Sequence, residues 1–166
     1  MRKLKIYLDT SVISHLDQQD APEKMRDTHR LWDNIKAGLF DVVLSEASFF
    51  ELAKCSQEKH SILSDFLMQI EYEYVDVTDD VLRTAELFVD MKILTRKSYV
   101  DCQHISAAIH SECDVIVSWN FQHMVNVRTI RGVKVITAME GRKDILICSP
   151  NMLNEGGFEN EYDSVP

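Results

Sequence analysis

Lys3-Leu4-Lys5-Ile6-Tyr7-Leu8-Asp9-Thr10-Ser11 is the stretch on which the reading of the fold turns. Residues 3–8 form an apolar run of strand length that Asp9 cuts short, and a short helix is expected from about Val12. The pattern recurs in Asp114-Val-Ile-Val-Ser118-Trp119, a second run that stops at a polar residue, Asn120. Glu51, in Phe49-Phe50-Glu51-Leu52, and Asp101, in Tyr99-Val100-Asp101-Cys102-Gln103-His104, fall in the first turns of predicted helices. In an open parallel sheet such points line the carboxyl edge, so residues distant in sequence can meet in one crevice.

Between these anchors, strands and helices alternate. The spacing predicts a helix over 23–37 with Gly38 as its stop, a strand over 40–44, and a helix from Ser45 to about Lys54. Further helices fit 58–70, 78–94, 99–112 and 121–139, with strands at 72–77, 114–119 and 145–148. Strands separated by helices imply an α/β fold, a three-layer parallel sheet of about five strands flanked by helices.

Composition bounds the function. With 166 residues, 45% of them hydrophobic, and only 5 Gly and 3 Pro, one domain with one core is expected over residues 1–150. Residues 151–166 are expected to form an acidic tail that adds little to the core, with Glu155, Glu159, Glu161 and Asp163 and no Lys or Arg. The net charge of −9 becomes −5 once those four acids are set aside. Cys55, Cys102, Cys113 and Cys148 are scattered without a C-x-x-C pair, which argues against zinc or a disulfide framework. No run approaches a signal-peptide core or a membrane span, so a cytoplasmic location and no membrane partner are expected.

Each polar anchor also has a plainer role. Asp9 suits the N-cap of the following helix, and Ser98 with Asp101 has the spacing of a capping box. Asn120 suits a turn after a strand. His104, three residues after Asp101, suits a structural hydrogen bond. Glu51 sits in a helix so short and apolar that its carboxylate needs a partner. All of these roles holding together along one sheet edge is the less economical reading. Hard oxygen donors in one crevice suit Mg²⁺ or Mn²⁺.

Taken in order, Tyr7-Leu8-Asp9-Thr10-Ser11-Val12-Ile13, Phe50-Glu51-Leu52, Asp101-Cys-Gln-His104-Ile-Ser-Ala-Ala108 and Ile116-Val-Ser118-Trp119-Asn120-Phe-Gln-His123 resemble the PIN domain family, specifically its VapC-like toxins. The resemblance implies a divalent-metal-dependent endoribonuclease, the toxin of a toxin–antitoxin pair. Its partners would be RNA, a small antitoxin protein and a second copy of the chain. By resemblance the metal-binding acids are Asp9, Glu51 and Asp101. Many relatives carry Asp at the position of Asn120, so one well-held cation rather than two is expected, with Asn120 offering a neutral oxygen or a hydrogen bond.

Thr10 or Ser11 is expected to orient a carboxylate from behind, with His104 nearby. Arg96, Lys97, Arg128, Arg131 and Lys134 are weak candidates for holding phosphates, since charges at helical spacing also serve as a solvated face. The alternative is a non-catalytic PIN-like module that binds RNA or protein. A phosphatase of the haloacid-dehalogenase type, which also begins with a strand ending in Asp, would need an acid at Ser11.

Overall fold

The computed structural model describes residues 2–155. Five strands form one wholly parallel sheet: β1 (Leu4–Leu8), β2 (Phe40–Ser45), β3 (Glu73–Val75), β4 (Val115–Val117) and β5 (Leu146–Cys148), in the order β3-β2-β1-β4-β5. The helices are α1 (Thr10–Ser14), α2 (Pro22–Lys36), α3 (Glu46–Leu52), α4 (Gln57–Leu67), α5 (Asp79–Asp90), α6 (Tyr99–His110), α7 (Val127–Met139) and α8 (Pro150–Glu155). Single 3₁₀ turns at His15–Asp17 and Arg96–Ser98 follow α1 and precede α6.

The alternation of side chains along β1 builds three layers. Ile6 and Leu8 point to one face and join Val42, Leu44, Val115 and Val117 beneath α1, α2, α4 and α8. Tyr7 points to the other, with Val43 and Ile116 beneath α5, α6 and α7. Ile6 stands in register between Val42 and Val115, so both faces of β1 are buried. That burial explains its unbroken apolar run. The chain builds outward from β1 to β2 and β3 on one side and to β4 and β5 on the other. The gap between β1 and β4 is therefore the switch point of the sheet, where ligands of such folds bind.

Several expected elements end sooner than their periodicity suggests. The helix expected over 78–94 stops at Asp90 because Lys92 adopts a left-handed backbone, φ 58°. The helix expected over 121–139 starts only at Val127, because two asparagines hold the preceding residues in turns. Asn120 accepts the His123 amide through Oδ1, and Asn126 donates to the carbonyls of Phe121 and Gln122 while capping α7. The helix expected over 58–70 ends at Leu67.

The expectation of a loose tail from residue 151 does not hold for its first residues. α8 packs on α2, Leu153 is buried in the core, and Asn154 donates to the carbonyl of Asp27. The rest of that segment, 156–166, lies outside the described residues. The four thiols are free; Cys102 and Cys113 are buried and the other two half-buried. Among the described residues no helix is long and apolar enough to cross a membrane.

Candidate active site

Asp9 follows β1 directly and is buried, 3% exposed. Its carboxylate caps α1 by accepting the Ser11 amide at 2.9 Å. Capping is only part of its role. Oδ1 also accepts from Ser11 Oγ at 2.5 Å, and Oδ2 accepts at 2.6 Å from Ser118 Oγ, which stands just beyond β4. Ser11 Oγ in turn accepts the Trp119 amide, and Ser118 Oγ accepts that of Asn120. A lattice of two serines thus pins Asp9 across the switch point.

Glu51 reaches the same place from the last turn of α3, not the first turn expected, in a short helix started by a reciprocal cap between Ser45 and Ser48. Oε1 accepts from Thr10 Oγ1 at 2.8 Å and pairs with Nε2 of His104 at 2.5 Å. Thr10 and Ser11 therefore each orient a different carboxylate. The His104 ring is buried, and its Nδ1 lies 2.5 Å from the Tyr7 hydroxyl, which lies 2.7 Å from Ser45 Oγ. A chain of polar groups, Glu51–His104–Tyr7–Ser45, thus runs from the crevice into the apolar layer. Buried polar groups persist only when each is satisfied, and here each is.

Asp101 sits in the first turn of α6, three residues before His104. It is no member of a capping box, because the Ser98 side chain makes no cap bond and contacts His123 instead. Among the described residues no hydrogen bond reaches the Asp101 carboxylate. Asn120, half-buried, spends its side-chain oxygen on the His123 amide, so the oxygen expected to face the crevice is already engaged within its own turn.

The electrostatics follow from this arrangement. Burial raises the Asp101 carboxyl; His104 opposes this while Asp9 and Glu51 add to it, and the group is pushed up to about 6. Burial also raises Asp9, against the pull of His104 and its serine hydrogen bonds. For Glu51 burial is the largest influence and works upward, but the hydrogen bond and charge of His104, the Thr10 hydrogen bond and the charge of Lys54 together outweigh it, leaving the carboxyl below its ordinary value. Burial would lower His104; the Tyr7 hydroxyl and the carboxylates of Glu51 and Asp9 more than reverse this, to about 10. One buried imidazolium thus faces three carboxylates; it pairs with Glu51, and the carboxyls of both Asp9 and Asp101 are raised. Sequence reasoning missed Tyr7 and Ser118. Their hydroxyls lie in and just beyond apolar strands, where the only signal is a polar atom that burial must satisfy.

Of the basic candidates, Arg96 is committed to a two-pronged pair with Glu86 at 2.7 and 2.8 Å, and lies over the Tyr99 ring. Arg128 donates to the Lys92 carbonyl, and Lys134 pairs with Asp144 at 3.0 Å. Lys97 and Arg131 are exposed.

The family model of the PIN domain matches residues 6–121, from β1 to the turn after β4. The chain belongs to the PIN domain family. Among curated proteins none matches it in sequence. Two solved structures share the PIN fold. One is VapBC2 from Rickettsia felis, bound to a DNA fragment from its promoter. It aligns with a TM-score of 0.53 at 13% identity, over 88% of this chain and 98% of that one. The other is VapC20 from Mycobacterium tuberculosis, a sarcin–ricin loop cleaving toxin. It aligns with a TM-score of 0.55 at 16% identity, over 71% of this chain and 92% of that one.

Whether this PIN site suits a divalent cation depends on its donors. Among the described residues no hydrogen bond reaches the Asp101 carboxylate or Oε2 of Glu51. Both are hard oxygens of the kind Mg²⁺ and Mn²⁺ prefer. Among the described residues no three Asp, Glu, His or Cys side chains are gathered tightly enough to hold an ion as they stand. Mg²⁺ is commonly held through one or two carboxylates, with water completing its shell, so the donor set fits in its chemistry.

Proposed function

We propose that this PIN domain is a Mg²⁺- or Mn²⁺-dependent endoribonuclease acting as the toxin of a toxin–antitoxin pair. The observation that carries the reading is the Asp101 carboxylate, without a hydrogen bond among the described residues and crowded by the charges of Asp9 and Glu51 at the sheet's switch point. Asp9 and Asp101 would hold one cation, with Glu51 reached through water. Bound there, the cation would acidify a coordinated water and neutralise charge on the scissile phosphate.

The chain's own residues supply the rest. Ser11 and Ser118 fix the Asp9 rotamer, while Thr10 and His104 fix Glu51. Without a cation, burial and the neighbouring Asp9 and Glu51 push the Asp101 carboxyl up to about 6; a bound cation would favour its ionised form. His104 is too deeply buried to touch RNA, so its charge acts by holding Glu51 and offsetting the acids. Asn120, engaged in its turn and uncharged, favours one cation over two.

The likeness to VapBC2 and to the sarcin–ricin loop cleaving toxin VapC20 supports an antitoxin protein and RNA as partners; a second copy of the chain belongs to the proposal without such support. The test is metal titration by calorimetry beside cleavage of single-stranded RNA. One bound cation and metal-dependent cleavage, lost in Asp9→Asn, are expected. Two tight cations, or full cleavage by Asp9→Asn, would refute the mechanism. Metal-independent RNA binding without cleavage would make the domain a binding module instead.

A further inference from the structure

The turn whose amides bond Ser11 and Ser118 also presents an aromatic ring that the chemistry described above does not use. Phe121 is 48% exposed, although it follows directly on Trp119 and Asn120, whose amides bond the two serines that pin Asp9. Its backbone is fixed: its amide donates to the Trp119 carbonyl and its carbonyl accepts from Asn126. Trp119 beneath it is clamped, with its indole Nε1 donating at 2.8 Å to Thr28 of α2. The rings of Trp119 and Phe121 meet edge to face at 6.2 Å, and His15 tilts against the other side of Trp119 at 6.0 Å. Lys24 of α2 brings its ammonium to 5.4 Å from the Phe121 ring centre and 5.6 Å from that of Trp119.

A rigid aromatic face with a cation at its side is how proteins grip single-stranded nucleic acid. The ring stacks on a base of any identity, and the cation meets the backbone. We propose that Phe121, flanked by Lys24, is the seat for a nucleobase of single-stranded RNA adjoining the carboxylate crevice. Lys24 contacts the phosphate of the same nucleotide. The seat rests on the nuclease reading above and adds to it the residues that receive one unpaired base of the single strand.

The test uses the full chain and a short single-stranded RNA carrying a fluorescent purine analogue, bound in calcium under conditions where the strand stays intact. Cleavage in magnesium is followed in parallel. Stacking should quench the analogue in the wild-type protein. Phe121→Leu should abolish the quench and weaken binding about 10- to 100-fold, while Phe121→Trp retains both. Lys24→Gln should lower the slope of log affinity against log salt by about 0.7, the share of one phosphate contact. Melting temperatures should stay unchanged, which separates recognition from folding. If Phe121→Leu binds and quenches like wild type while cleavage persists, the seat is wrong and the nuclease reading stands. If the wild-type chain neither binds nor cleaves, both fall together. If Phe121→Leu loses only a protein partner, the ring belongs to a protein interface and the proposal is overturned.

Discussion

At the scale of single residues, the unbalanced charge on Asp101 has a measurable effect on stability. Its carboxyl titrates near 6 in the folded chain, against an ordinary 3.8. A group raised in this way stabilises the fold while protonated. Its contribution is complete below about pH 3.8 and is lost as pH rises through about 6. A shift of two units at about 1.4 kcal/mol each sets an upper bound of about 3 kcal/mol. In the absence of divalent metal, Asp101→Asn is therefore expected to raise the melting temperature at pH 8 and to leave it nearly unchanged at pH 4. Calorimetric scans at the two values check this; an equal effect at both would show that Asp101 is not strained by its neighbours. His104 belongs to the same balance. Without its positive charge the crevice would hold three carboxylates and no compensation, and Asp101 would be driven higher still.

Among the elements, α7 owes its position to a missing side chain. Gly132 is buried where α7 crosses the turn after α5, and a Cβ placed there would lie 2.5–2.9 Å from three atoms of the Ile93 side chain. Ile93 is β-branched and cannot swing clear without repacking. Gly132→Ala should thus destabilise the fold by about 1–3 kcal/mol despite its better helix propensity. Adding Ile93→Ala should recover part of the loss. Urea unfolding of the single and double variants reads this directly, and a Gly132→Ala chain as stable as wild type would show that α7 stands off from the turn. Glycine in the middle of an expected helix looks like a weakness when only propensity is considered. Its reason lies in a residue 39 positions earlier.

For the molecule as a whole, the open question is where the folded body ends. Leu153 of α8 is 5% exposed and belongs to the core that α2 covers. Burying one leucine is worth about 1.5–3 kcal/mol. We propose that the boundary between body and acidic segment lies after residue 155. Truncation after Ser149 should lower stability by about that amount, whereas truncation after Glu155 should leave it nearly unchanged. Melting curves of the two shortened chains decide it, and a Ser149 truncation that melts like the full chain would free α8 from any structural role.

What the sequence determined alone was the pattern that local physics can carry. The apolar runs around Ile6-Tyr7-Leu8 and Val115-Ile116-Val117 have strand length, and the helices between them argue for a parallel sheet. Asp9, which ends the first run, was legible as a candidate from that pattern, and Glu51 and Asp101 from their places in predicted helices. Only the tertiary structure decided how each is held. It set Thr10 on Glu51 and Ser11 on Asp9, brought Ser118 across the switch point, and turned Asn120 toward its own loop. It also placed a charged histidine between Glu51 and Tyr7. The physical reason is range. Periodicity and capping are set by neighbours within a few residues, whereas hydrogen bonds and charge balance in a buried crevice depend on groups up to 109 positions apart that meet only once the sheet has formed.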